Sequence, residues 1–220
     1  MEPRTALVAG ATGLVGSHLV RRLLDGGRYG RVTTLGRRPL DLAHPKLDDR
    51  VVDFDRLPDA PDLPASDDAF CCLGTTIKKA GSEEAFRRVD HDYVLDFARR
   101  AQRHGATQLL VVSALGADAG SRVFYNRVKG EMERAVAALG FEAVQIVRPA
   151  LLLGERDVTR PKEKVAELIT RPLTPLLRGP LRKVRPIHGD TVAAAMVAAA
   201  QVCAPGVHVF ESDQLQRFAR

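Results

Sequence analysis

The sequence predicts an α/β fold in which a parallel sheet is covered on both faces by helices. Two observations carry this expectation. Short apolar runs alternate with longer segments whose apolar residues recur at helical spacing. A glycine-rich turn, Gly10, Gly13 and Gly16, stands where the first apolar run meets the first helical segment. The chain of 220 residues is long enough for one full core, and 45% hydrophobic against 27% charged residues excludes disorder as the default.

The elements follow in order. Thr5 to Ala9 reads as a buried strand. Leu14 to Leu24 places Leu14, Val15, Leu19 and Leu23 at helical spacing, and Gly26-Gly27 ends the segment. Arg31 to Leu35, Arg50 to Phe54 and Ala69 to Leu73 read as the second, third and fourth strands. Ser82, followed by Glu83 and Glu84, starts a helix that runs to His104 and stops at Gly105. Gln108 to Ser113 is a strongly apolar fifth strand, Ser121 to Leu139 a helix, and Phe141 to Val147 a sixth strand closed by Arg148-Pro149. Prolines at 161, 172, 175, 180 and 186 break regular structure, so residues 154–188 read as a small, irregular cap within a single domain spanning 1–220. Asp190 to Cys203 reads as an Ala-rich helix with Asp190 as N-cap, and Val207 to Phe210 as a last strand.

Charge and cysteine usage narrow the function classes. The net charge is +6, but bases and acids are interleaved along the chain, so a nucleic-acid partner is not expected. The basic, proline-broken stretch from 156 to 185 reads as a solvated cap rather than a docking surface. No run of about 18 apolar residues exists, so no integral membrane segment is expected, and the N-terminus lacks signal-peptide architecture. Cys71, Cys72 and Cys203 form neither a disulfide framework nor a zinc-ligand spacing. A reducing, cytoplasmic compartment and no metal are the expectation. Cys71 and Cys72 read as small apolar residues, and His188 as structural.

The glycine turn carries the first chemical signal. A strand turning sharply into a helix needs a residue free to take positive φ. Close approach to a pyrophosphate excludes a Cβ, and the third glycine lets helix and strand pack tightly. The helix start then offers free N–H groups and a positive dipole end. The turn residues Gly10, Thr12, Gly13, Leu14, Val15 and Gly16 are therefore expected to bind a dinucleotide. At the second strand's exit, an NAD-preferring domain places an acid for the ribose hydroxyl. This chain has Arg37 and Arg38 there instead, and guanidinium forks suit a phosphate, which points to NADP(H).

A second constellation supplies reactivity. Ser113 ends the fifth strand, and Tyr125 and Lys129 lie four residues apart on the next helix, hence on one face. A free Tyr titrates near 10, and a neighbouring ammonium is expected to lower that value. The Ser hydroxyl can hold a carbonyl or alcohol oxygen.

With these residues in place the chain resembles the short-chain dehydrogenase/reductase superfamily in its atypical, extended-like branch. It is similar, more narrowly, to the NADPH-binding proteins related to the HIV Tat-interacting protein. The stretches that carry this are Phe70 to Lys78, Phe86 to Asp90, Val112 to Asp118 and Arg185 to His188. The resemblance implies a Rossmann-like doubly wound parallel sheet with a small C-terminal cap. It implies that Tyr125 is the acid/base, that Lys129 holds the nicotinamide ribose and that Ser113 orients the substrate. It further implies that Leu73, Gly74 and Thr75 contact the cofactor, that Asp53 and Phe54 lie near the adenine, and that the loop after Pro149 lies beside the nicotinamide. The resemblance departs at Asp90, where many reductases of the superfamily carry Asn, so that residue's proton-relay role is not carried over. The resulting expectation is an NADP(H)-dependent oxidoreductase, monomeric or homodimeric, acting on a small carbonyl or alcohol. The rival is an NADPH-binding sensor without efficient turnover. Epimerase or dehydratase chemistry is disfavoured by the small cap.

Overall fold

The computed structural model describes residues 3–59, 63–153 and 183–219. Seven strands form one wholly parallel sheet: β1 (Arg4–Ala9), β2 (Tyr29–Gly36), β3 (Leu47–Val51), β4 (Asp68–Cys71), β5 (Gln108–Val112), β6 (Ala143–Arg148) and β9 (Gly206–Glu211). Their order is β3-β2-β1-β4-β5-β6-β9. The chain winds outward one way from β1 and then crosses to β4 and winds the other way. The carboxyl ends of β1 and β4 therefore flank a crevice where ligands bind in such sheets. A short pair, β7 (Leu152–Leu153) with β8 (Ile187–His188), stands apart from the main sheet.

Because successive residues of a strand point to opposite faces, each central strand feeds two cores. Val8, Phe70 and Leu110 pack on one face under α1 (Leu14–Asp25) and α6 (Gly189–Val202), whose Leu19, Leu23, Val192 and Met196 are buried. Leu7, Ala69 and Leu109 pack on the other under α4 (Tyr93–Arg103) and α5 (Phe124–Ala137), through Phe97, Met132 and Val136. Two small helices, α2 (Ile77–Ala80) and α3 (Glu83–Arg87), follow β4, and α7 (Ser212–Leu215) follows β9.

The sequence expectations stand with local shifts. Ser82 caps α3, its hydroxyl accepting from Ala85 N at 3.0 Å. The helix expected from Ser82 to His104 is interrupted by a π-helical turn over Arg88–Asp92. The third strand is Leu47–Val51 rather than Arg50 to Phe54. Val52 N donates the ladder's closing bond to Gly36 O at 2.8 Å, and the Asp53 carboxylate then accepts from Asp55 N and turns the chain away. As an edge strand with acids at 48 and 49 it has a weak apolar pattern, and the more apolar run that follows leaves the sheet after Val51. Ser121 does not start α5, because its hydroxyl accepts from Val123 N in a turn before the helix. Asp190 is not an N-cap. Gly189 already opens α6, and the Asp190 carboxylate instead meets the Arg22 guanidinium of α1 at 2.8 and 2.7 Å. Residues 154–182 of the expected cap lie outside the described residues.

Candidate functional site

The turn between β1 and α1 is built on contacts that only glycine allows. Gly10 has φ +83°, and a Cβ there would fall 2.5 Å from the Cys72 backbone of β4's exit. Gly16 lies one helical turn further, where a Cβ would fall 2.1 Å from Gly10 O. The first glycine thus closes the turn onto the neighbouring strand end, and the third lets α1 sit directly on the turn. Gly13 N donates to Gly10 O at 2.9 Å, and no side chain caps α1. The first N–H groups of α1 consequently face the crevice with their dipole end toward it.

Two cavities of about 420 and 400 Å³ open on either side of Gly74 at the carboxyl edge of the sheet. Gly13, Cys72, Leu73, Gly74 and Thr75 line both, so together they form one trough across the switch point. The first half holds Gly10, Thr12, Arg37, Arg38 and Phe54. Asp53 does not line it; its carboxylate serves the turn that follows β3. Both arginines are exposed, and among the described residues neither has an ion-pair partner. Lys79 of α2 lines the same half, and among the described residues no carboxylate does. Sequence reading missed Lys79, because a four-residue helix leaves no periodicity; the adjacent Lys78-Lys79 pair was the available signal.

The second half brings together Leu14, Val15, Ser113, Tyr125, Lys129 and Pro149. Ser113 is buried and its hydroxyl has no hydrogen-bond partner among the described residues, which leaves it available to a ligand oxygen. Phe86 packs against the Tyr125 ring, with centroids 5.2 Å apart and the planes tilted by 37°. The Lys129 ammonium is buried and meets Asp90 Oδ1 at 2.7 Å. The other oxygen of Asp90 accepts from Thr75 N at 2.8 Å. Asp90 lies in the π-helical turn and is itself buried. Sequence reading noted Asp90 only as a departure; its pairing with Lys129 depends on a contact between residues 39 positions apart.

The electrostatics correct one expectation. Burial raises the Tyr125 phenol above its ordinary value; Lys129 pulls it down, and Asp90 adds to the rise. The net direction is upward, not the lowering expected from the Tyr–Lys spacing alone. Burial works against the Lys129 ammonium, but Asp90 above all, with Tyr125, outweighs it and holds the lysine above its usual range. Burial also pushes the Cys71 thiol up to about 12, so it stays protonated and acts as a small apolar residue. His188 is exposed at the start of α6 and lines neither cavity.

The family of NAD(P)H-binding proteins matches residues 10–201. The chain belongs to this NAD(P)H-binding family. Among curated relatives, Protein HTATIP2 of Rattus norvegicus is 39% identical over 170 residues, covering 76% of this chain and 70% of that protein. The mitochondrial Protein FMP52 of Eremothecium gossypii is 38% identical over 154 residues, covering 69% and 68%. MoeE5 in complex with UDP-glucose and NAD superposes with a TM-score of 0.70 at 22% identity, over 94% of this chain and 75% of that one. The human epimerase family protein SDR39U1 with NADPH gives 0.62 at 19%, over 98% and 80%. These two likenesses are of fold, and they bear out the Rossmann-like reading. Within this NAD(P)H-binding family the similarity to HTATIP2 bears out the narrower resemblance read from the motifs. No helix among the described residues is long and apolar enough to cross a membrane.

Proposed function

We propose that this chain is an NADP(H)-dependent oxidoreductase acting on a small carbonyl or alcohol. One observation carries the reading: an unpartnered buried Ser113 hydroxyl, the Tyr125 phenol and the Lys129 ammonium share a cavity that runs directly into the glycine turn. The residues fit a dinucleotide, since Gly10 and Gly16 let the turn close on β4's exit and α1 seat on the turn, which leaves the uncapped first N–H groups of α1 at the trough. When bound, the nicotinamide supplies or accepts the hydride. The N–H groups at the start of α1 would hold the pyrophosphate. Arg37 and Arg38, with Lys79 lining the same half and no acid there among the described residues, support a 2′-phosphate and so NADP(H) over NAD(H). Ser113 would donate a hydrogen bond to the substrate oxygen. Tyr125, kept protonated by burial, would give that oxygen its proton in reduction and take it back in oxidation. Lys129 would hold the nicotinamide ribose. A cytoplasmic compartment is supported by three unpaired thiols, although the fungal relatives are named as mitochondrial.

The test is NADPH oxidation over a panel of aldehydes, ketones and quinones, with wild type and Tyr125→Phe. Loss of the proton donor should lower turnover roughly 10²- to 10⁴-fold while cofactor affinity changes little. An undiminished rate in Tyr125→Phe would remove Tyr125 from the chemistry. Tight NADPH binding with no turnover of any substrate would make the chain a sensor instead.

A further inference from the structure

We propose that Asp90 is a positioning residue whose carboxylate lets Lys129 and Tyr125 hold their protons at the same time, so that Tyr125 remains a proton donor to a carbonyl at neutral and mildly alkaline pH. The inference rests on the oxidoreductase reading, and its first test does not depend on turnover.

The geometry is that of a built counter-ion. Asp90 Oδ1 meets Lys129 Nζ at 2.7 Å as an ion pair, and Oδ2 accepts a hydrogen bond from Thr75 N at 2.8 Å, which anchors the carboxylate beside the ammonium. Both side chains are almost wholly buried. Gly74 leaves the space between them and the trough open, since a Cβ there would stand 3.4 Å from Asp90 Oδ1 and 3.9 Å from Lys129 Nζ. Asp90 reaches this place from a π-helical turn, a widening that costs helical regularity and is frequent at functional sites.

The charge count follows from the neighbours. The ionisable groups acting on Lys129 are Asp90 from the π turn, Tyr125 from its own helix and Cys71 from β4. Cys71 is neutral, its thiol pushed up to about 12 by burial. A buried ammonium needs a negative partner or it loses its proton. With Asp90 present that partner exists, and Tyr125 need not supply it. With Asn at 90, the partner left to Lys129 is the Tyr125 phenolate. The pair would then release its first proton at lower pH, from phenol or ammonium.

The experiment is an NMR titration of cofactor-free protein labelled at tyrosine Cζ, with Tyr125 assigned among the three tyrosines by Tyr125→Phe. Lysine Nζ signals are followed in parallel. In Asp90→Asn the Tyr125–Lys129 pair should lose its first proton roughly one to three pH units below wild type. The alkaline limb of kcat/KM for carbonyl reduction should move the same way. A shift of less than about one pH unit in folded Asp90→Asn would overturn the proposal. If Asp90→Asn does not fold, the double variant Asp90→Asn/Lys129→Met decides, because replacing both partners of a buried pair is tolerated better than replacing one. If the two charges cancel at Tyr125, wild type and double variant titrate within about one pH unit of each other. A wild-type Tyr125 titrating further below the double variant would mean that Lys129 prevails uncompensated, and the idea fails. The titration can succeed even where no carbonyl is turned over, which separates this inference from the activity reading.

Discussion

Substituting Gly16 by Ala tests whether the close seat of α1 on the glycine turn matters to both stability and cofactor binding. The added Cβ would lie 2.1 Å from Gly10 O and 2.8 Å from Gly10 C. An ordinary carbon–oxygen contact is near 3.5 Å, so α1 and the turn must separate by about 1.4 Å. Overpacking of this kind costs about 1–3 kcal/mol. For a chain of this size that is a fall in Tm of roughly 2–12 °C. The same displacement pulls the N–H groups of Leu14 and Val15 away from the crevice they face. Losing one hydrogen bond to a charged phosphate, about 1.5–3 kcal/mol, weakens NADPH binding roughly 10- to 100-fold. Thermal unfolding and a fluorescence titration with NADPH measure the two effects. Gly27→Ala is the control, because nothing lies within 4 Å of its added Cβ. It should leave both values near wild type. A Gly16→Ala protein with wild-type Tm and wild-type NADPH affinity would refute the reasoning.

Two more predictions concern charge. Arg37→Ala/Arg38→Ala should weaken NADPH binding roughly 10- to 100-fold and leave NADH within about threefold, since only the former carries the 2′-phosphate; equal losses for both nucleotides in calorimetry would refute the assignment. The Arg22 guanidinium holds the Asp190 carboxyl below its usual range. A carboxyl depressed on folding stabilises above its unfolded value, near 3.9, and that stability is lost as pH falls through its folded value. Both side chains are nearly half exposed, so the pair is worth less than about 1 kcal/mol. Arg22→Met should therefore lower Tm at pH 7 by no more than about 4 °C and flatten the decline of Tm between about pH 5 and 3. An acid limb identical to wild type would show that the bridge contributes nothing.

The central strands were legible because each is a dense apolar run buried on both faces, as Gln108–Val112 and Ala143–Arg148 show. The edge was not. In Leu47–Val51 backbone ladder bonds to β2, rather than apolar burial, choose the strand, and its half-exposed residues leave little pattern to read. Two helix starts were misplaced as well, although those at Leu14 and Ser82 held. Ser121, the expected first residue of α5, accepts from a turn N–H instead, and Asp190, the expected N-cap, pairs with Arg22. Of the expected cofactor residues, Asp53 does not line the trough because the chain leaves β3 three residues earlier than expected and its carboxylate serves the turn that follows. Lys79 enters the trough from a helix too short to announce itself.

The sequence by itself determined the α/β alternation, the glycine turn and the Tyr125–Lys129 face, all of which depend on spacings of a few residues. The glycine turn's spacing was legible locally, through the positive φ of Gly10 and the contact of Gly16 with Gly10, whereas the closure of Gly10 on the Cys72 backbone belongs to the wound sheet. Tertiary structure alone decided the charge balance around the Tyr125 phenol. Burial raises it, Lys129 lowers it and Asp90 restores part of the rise, and two of those three causes come from elements that meet only once the sheet is wound. Electrostatic outcomes depend on distance and desolvation, which a linear order of residues does not contain.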